Sequence, residues 1–332
     1  MDKLYPWLIP HYQQISSAFQ QGHGHHALLF KSEQGVGTTQ LVQAIAGRLL
    51  CTASGEHPCG QCHHCHLFNA GNHPDFYQLA PIENKDIGID QVREINEKVS
   101  QHAKQNGNKV VIIQEVERLT ENAANALLKT LEEPRENTYF LLQADLSASL
   151  MATIYSRCQS WIINVPEQSQ TVEWLQSQLQ PEIKMTQILS AVLINHRQPL
   201  SALHFIQQGL AEKRLILLRQ FWIFYTRRSP LEILSLFDKT ILFQQLDWLL
   251  DFLVDALKAK LQITTHWVCQ DLARGVQQFG DKQSIQNLLK ANQIMQQVRS
   301  DLMQINAVNQ ELILLDGLSR LITDVFEHSN SI

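Results

Sequence analysis

Leu29-Phe30-Lys31-Ser32-Glu33-Gln34-Gly35-Val36-Gly37-Thr38-Thr39 reads as a strand, a glycine-bearing turn and the first residues of a helix. The apolar strand covers Ala27 to Phe30, and Leu41, Ile45 and Leu49 give the following helix an apolar stripe. This is the outline of a phosphate-binding loop, G-x-x-x-x-G-K-[ST]. In such a loop backbone N–H groups cradle the phosphates, a lysine bridges them and a hydroxyl ligates magnesium. Here Ser32 stands at the first glycine and Thr38 at the lysine. Gly35, Gly37, Thr38 and Thr39 thus outline a nucleotide site without its cation.

A second stretch supports the same sheet. Lys109-Val110-Val111-Ile112-Ile113-Gln114-Glu115 is an apolar β-branched run ending at polar residues, the pattern of a strand buried on both faces of a parallel sheet. In a Walker B strand a carboxylate at the end of the run holds magnesium. Gln114 occupies that place, and its neutral amide is a poor partner for a hard dication. Glu115, the next residue, keeps an acid. With one loss on the phosphate side and one on the metal side, the expectation is a degenerate nucleotide site that binds no ATP.

The rest of the composition narrows the possibilities. A chain of 332 residues exceeds one usual core, so two or three domains are expected. Lys and Arg number 27 against 32 Asp and Glu, a net charge of −5, which disfavours a protein held mainly by the nucleic-acid backbone. Arg219, Asp247 and Asp251 interrupt the most apolar stretches, so no membrane span is expected. Met1 to Trp7 lacks the apolar core of a signal peptide, which points to a cytoplasmic protein. Cys51, Cys59, Cys62 and Cys65 lie within fifteen residues, and thiols this close without a secretory signal suggest a metal rather than disulfides. Four thiolates close a tetrahedral shell and predict a structural zinc (Zn2+), with His57, His63, His64 and His66 as possible substitutes for one ligand.

Residues 1–165 alternate strands and helices, the signature of a parallel sheet with covering helices, and the cysteine segment, about 51–66, is an insertion after the loop helix. A strand over 76–79 and a helix over 90–106 stopped by Gly107 come next. Thr120 caps a helix ending at Glu133, before Pro134. A strand over 139–143, a short helix over 148–154 and a last strand over 159–165 complete the pattern. Beyond Pro166 helices take over, in a small unit, 166–207, and a larger one, 208–332, whose apolar stripes read as bundle core.

His25-His26-Ala27-Leu28-Leu29-Phe30, the cysteine quartet, His73-Pro74-Asp75, Asn125 to Pro134 (NALLKTLEEP) and Ser156-Arg157-Cys158, in this order and spacing, resemble the AAA+ clamp-loader family of the bacterial DNA polymerase III. The resemblance covers residues 5 to about 165. It implies an AAA+ P-loop-type domain with a zinc insertion, a three-helix lid and a helical collar, α/β followed by all-α. It also implies a member that does not hydrolyse ATP, working in a hetero-pentameric ring with ATPase subunits of gamma/tau type and a delta-type subunit. Through that ring it would serve the sliding clamp and primed DNA at the bacterial replication fork. In the family Ser-Arg-Cys carries an arginine finger, so Arg157 is expected to reach a neighbouring subunit's ATP. The lid stretch Gln198 to Leu203 lacks the sensor arginine of active relatives, although Arg197 precedes it. Lys129 and Glu132 are expected to serve packing and helix-surface pairing.

Two other readings compete. In one the chain is an ATP-hydrolysing subunit with an atypical loop, Lys31 replacing the missing lysine and Glu115 polarising water. In the other it is a zinc-dependent DNA-binding module, which the acidic balance disfavours.

Overall fold

The computed structural model describes residues 4–82, 85–304 and 310–326. Residues 1–3, read above for a leader, and His328, at the end of the helical region, lie outside them. The chain divides into two compact units, Met1–Ser177 with Gln198–Ser201, and Gln178–Arg197 with Ala202–Ile332.

The first unit is built on five parallel strands: β1 (Ala27–Ser32), β2 (Phe76–Leu79), β3 (Lys109–Ile113), β4 (Thr138–Asp145) and β5 (Gln159–Ile163), in the order β2-β3-β4-β1-β5. Leu28 of β1 lies level with Leu141 on one side and Gln159 on the other. The helices are α1 (Ile9–Gln20), α2 (Thr38–Leu50), α3 (His63–Asn69), α4 (Ile89–Ser100), α5 (Glu121–Glu132), α6 (Ala152–Tyr155) and α7 (Gln168–Gln178). Leu29, Val111, Ile113, Phe140 and Leu142 form one core with Val92 and Ile95 of α4 and Leu127 and Leu131 of α5. The alternate residues Leu28, Phe30, Val110, Ile112 and Leu141 are also buried, so both faces are covered, as the continuous apolar runs require.

Three predicted elements are shorter than expected. The helix expected over 90–106 ends at Ser100, because the buried Lys109 ammonium takes the carbonyls of Val99 and Gln101 and caps it there. The helix expected over 148–154 is only Ala152–Tyr155. Asp145 accepts from Ser147 N–H at 2.9 Å to make a turn, and the Ala148 carbonyl goes to Lys31. The last strand ends at Ile163, two residues early. Thr120 caps as predicted, accepting from Ala123 N–H at 3.3 Å, and α5 ends one residue before Glu133.

The second unit is helical: α8 (Met185–Ile194), α9 (Pro199–Gln207, whose first residues group with the sheet unit), α10 (Leu210–Arg227), α11 (Pro230–Leu234), α12 (Leu242–Lys260), α13 (Ala273–Asp281), α14 (Ile285–Gln304) and α15 (Gln310–Leu321). Phe221, Phe224, Phe252, Phe279 and Phe326 form an aromatic core with ring centroids 5.3 to 6.5 Å apart. Arg214 is buried in this unit, paired with Asp271 at 2.7 Å. Among the described residues no helix is long and apolar enough to cross a membrane.

Candidate functional sites: a phosphate turn, a cysteine cluster and Arg157

The turn between β1 and α2 has the backbone of a phosphate loop. Gly35 and Gly37 take φ of 75° and 87°, a left-handed conformation that only glycine adopts without strain. A Cβ on Gly37 would come within 2.5 Å of the Tyr5 ring. Tyr5 N–H donates to Gln40 Oε1 at 2.9 Å, and Trp7 Nε1–H to the Val36 carbonyl at 2.8 Å. The N-terminal segment is thus laid against the turn. On the other side Leu200 N–H donates to the Gly35 carbonyl at 3.0 Å, and Gln198 Nε2 to Glu33 at 3.0 Å.

The cavity beside the turn, about 430 Å³, is lined by Tyr5, Thr38, Gln114, Glu115, Glu117 and Asp145 among others. Among the described residues no Lys, Arg or His lines it. Lys31 does not reach it: its ammonium donates to the Ala148 carbonyl at 2.9 Å and the Tyr155 hydroxyl at 2.8 Å. Thr39, at the magnesium hydroxyl position, accepts from Gln143 Nε2 at 3.2 Å. Glu115 stands 3.5 Å from Arg118. Burial pushes the Glu117 carboxyl above its ordinary value and the charges of Asp145 and Glu115 add to this, outweighing the hydrogen bond that Glu117 accepts from Asp145 N–H.

The four cysteines come together as their spacing predicted, with every Sγ within 4.8 Å of the others. Cys62 is the N-cap of α3, and its sulfur accepts from Cys65 N–H at 3.4 Å. Burial works against a Cys62 thiolate, yet the N–H groups of Cys65 and Thr52 outweigh it and draw its pKa down to about 5. Sulfur separations of 3.9 Å for Cys51–Cys62 and for Cys59–Cys65 match the edge of about 3.8 Å of a tetrahedron with metal–sulfur bonds of about 2.3 Å. The donor set therefore fits one soft metal ion. Two of the candidate histidines are engaged elsewhere: His64 with His73 at 3.0 Å, and His57 stacked on Tyr12.

Arg157 follows α6 and precedes β5. Its Nη1 donates to the Thr153 carbonyl at 2.9 Å and the Ser156 hydroxyl at 3.2 Å, and its Nη2 pairs with Glu132 at the end of α5. Cys158 anchors the corner: its thiol packs on the core, and burial pushes it up to about 12, so it stays neutral. Because β1 and β5 are parallel, Arg157 sits at the strands' N-terminal edge and the phosphate turn at their C-terminal edge, roughly 16 Å of strand apart.

Sequence reasoning missed Tyr5, Glu117, Gln143 and Asp145 around the cavity, and the bond from Gln198 to Glu33 beside it. Gln143 and Asp145 carried a usable signal, since they end the strand that neighbours β1. The pairing of Tyr5 and Gln198 with the turn carried none.

An AAA+ P-loop-type parallel sheet followed by helices is the class that this architecture defines. Family models described as "DNA polymerase III, delta subunit" and "DNA polymerase III, delta subunit, C terminal" match residues 10–167 and 207–323. The chain is 58 % identical over 327 residues to the DNA polymerase III subunit delta' of Haemophilus influenzae, covering 98 % of this chain and 99 % of that one. It is 34 % identical over 324 residues to the Escherichia coli subunit delta', covering 96 % and 95 %. A solved DNA polymerase III gamma-subunit-related protein of Thermotoga maritima aligns over 93 % of this chain and 97 % of that one at 17 % identity and a TM-score of 0.43. The chain belongs to the DNA polymerase III subunit delta' family.

Proposed function

We propose that this chain is a clamp-loader subunit of the bacterial DNA polymerase III, which braces a hetero-pentameric ring without hydrolysing ATP itself and supplies Arg157 in trans to a neighbouring subunit's ATP. One contrast carries the reading. The chain's own phosphate turn faces a cavity lined by four carboxylates, Glu33, Glu115, Glu117 and Asp145, and, among the described residues, by no cation, while a guanidinium stands at the opposite edge of the same sheet. A triphosphate in that cavity would meet like charge where transfer chemistry needs a lysine and magnesium. Arg157, placed away from its own turn, suits a neighbour's γ-phosphate, because a planar, permanently charged fork matches the oxygens on which charge builds. The hydrolysing alternative needs Lys31 and Glu115, and both are engaged elsewhere.

The same reading includes a sheet domain to residue 165, a lid over 166–207 and a collar over 208–332, gamma/tau-type and delta-type partners, the sliding clamp and primed DNA, and a cytoplasmic place at the replication fork. It also assigns zinc to Cys51, Cys59, Cys62 and Cys65. That ion, when bound, supplies local folding energy to the insertion and no chemistry, since four thiolates leave no open position.

The test is reconstitution of the ring with wild-type or Arg157→Ala chain, assembly being checked by gel filtration. The substitution should lower the DNA- and clamp-stimulated ATPase partly and clamp loading further. The factor of about 10³ to 10⁵ that such an arginine supplies is lost only at the site it serves. Unchanged hydrolysis and loading in a fully assembled ring would return Arg157 to an ordinary surface pair.

A further inference from the structure

We infer that Glu132 is a positioning residue for Arg157: it holds the guanidinium retracted against the sheet unit, and the arginine is presented to a neighbouring nucleotide only when that pair opens. The inference rests on the trans role proposed above. It starts from how the guanidinium is spent. Nη1 is taken by the Thr153 carbonyl and the Ser156 hydroxyl, and Nη2 by the Glu132 carboxylate. Nε is buried and, among the described residues, has no hydrogen-bond partner. A forked grip on phosphate oxygens draws on the same Nη donors, three of whose four hydrogens are spent here, so the pose seen here competes with the gripping pose.

Glu132 is also badly placed for its own helix. It lies in the last turn of α5, at the negative end of the helix dipole, where a carboxylate is locally unfavourable. A residue that breaks a local rule points to a task elsewhere, and among the described residues its charged partner is Arg157. The restraint is weak by construction. The Glu132 side chain is 47 % exposed and that of Arg157 26 %. A pair of this kind biases an equilibrium by about five-fold at most. The orphaned Nε lowers the cost of leaving further. An incoming γ-phosphate carries more charge than Glu132 and competes for the same fork, so engagement opens the pair, and a ring without a well-placed phosphate leaves it shut.

The experiment uses the reconstituted ring with this chain as wild type, Glu132→Gln, Arg157→Ala or both, each checked for assembly. Glu132→Gln keeps size and hydrogen bonding but removes the charge. It should raise the ATPase measured without DNA or clamp about two- to five-fold, with little change once both are added. In the double variant the rise should vanish, which a merely structural loss at α5 would not produce. Glu132→Asp should restore part of the restraint. An unstimulated rate equal to wild type, or one lowered towards that of Arg157→Ala, would overturn the restraint while leaving the arginine's trans role standing. Equal stimulated rates for wild type and Arg157→Ala would instead overturn the trans role, and this inference with it. In the isolated full chain, side-chain 15N NMR should show guanidinium rotation at Arg157 freed by Glu132→Gln. Identical spectra would show that the pair does not hold in solution.

Discussion

The cysteine cluster and the phosphate turn are both ligand cradles, separated by one helix, α2, and they are complete in opposite senses. The cluster has every side chain that a metal needs, gathered to tetrahedral spacing. The turn has the backbone that a phosphate needs, with Gly35 and Gly37 in the required left-handed conformation, and lacks the side chains. Backbone N–H groups position a ligand, but they do not neutralise four negative charges. Holding a charged ligand therefore depends on the few side chains that a loop motif specifies last, and a correct loop shape is weak evidence of binding.

The largest expected effect removes what the cluster has. Cys62→Ser together with Cys65→Ser should abolish stoichiometric zinc, because two oxygens cannot replace two thiolates for this ion, and metal binding there is also local folding energy. The damage should stay local. The Glu56 carbonyl remains tied by the Tyr12 and Ser16 hydroxyls at 2.8 and 2.7 Å, and the sheet core is elsewhere. Elemental analysis and protease sensitivity of the 51–69 segment provide the measurements. Full metal retention in the double variant would break the comparison at its stronger end.

The second effect tries to give the turn what it lacks. Thr38→Lys with Gln114→Asp restores one cation and one metal carboxylate, each worth about 1.5–3 kcal/mol. Their sum falls short of the roughly 8 kcal/mol of micromolar affinity. Glu33, Glu117 and Asp145 would still repel, and Tyr5 would still lie on Gly37. Titration calorimetry should therefore find no micromolar magnesium-ATP binding. If it does, missing side chains alone separate the two cradles, and the covering segment is incidental.

The third targets the backbone that the turn keeps. Gly37→Ala forces a Cβ into a left-handed residue and to 2.5 Å from the Tyr5 ring, so denaturant unfolding should show a loss of about 2 kcal/mol. On the function proposed above, the loss should be one of stability alone, with no nucleotide affinity to lose. A neutral substitution would mean that Tyr5 leaves the turn readily in solution.

How much of this could be read from sequence follows from how far apart the interacting residues are. The β-branched runs, the Thr120 cap and the cysteine spacing act within a few residues, and all three appear where the sequence put them. The helix expected to reach Asn106 stops early because of an ammonium on the next strand, which no local pattern encodes. Lys31 was a candidate for the missing lysine until its partners, Ala148 and Tyr155, turned out to lie at the far end of the sheet domain's sequence. Surface pairing is expected of Glu132 from its place on the helix, but that its partner is Arg157, on a later segment, is not encoded locally. Motif identity was legible and side-chain commitment was not, since commitment is decided by contacts between segments distant in sequence.

The smallest effect measures the electrostatic cost that the turn's cavity carries. Glu117 is half-buried, and burial first, then Asp145 and Glu115, raise its carboxyl above its ordinary value of 4.5. Between 4.5 and that raised folded value the native state holds more protons than the unfolded chain, so stability falls as pH climbs through the window. Above that window the whole penalty is present. Glu117→Gln removes the charge and keeps an oxygen to accept from Asp145 N–H. The variant should therefore melt about 1–2 °C higher than wild type at pH 7, and the difference should shrink towards zero near pH 4, where Glu117 is protonated in the folded chain. Melting curves at the two pH values decide it. A variant less stable at pH 7 would mean that the Glu117 carboxylate has an attractive partner in solution, and the turn's cavity would then be less hostile to a cation-bearing ligand than its four acids make it.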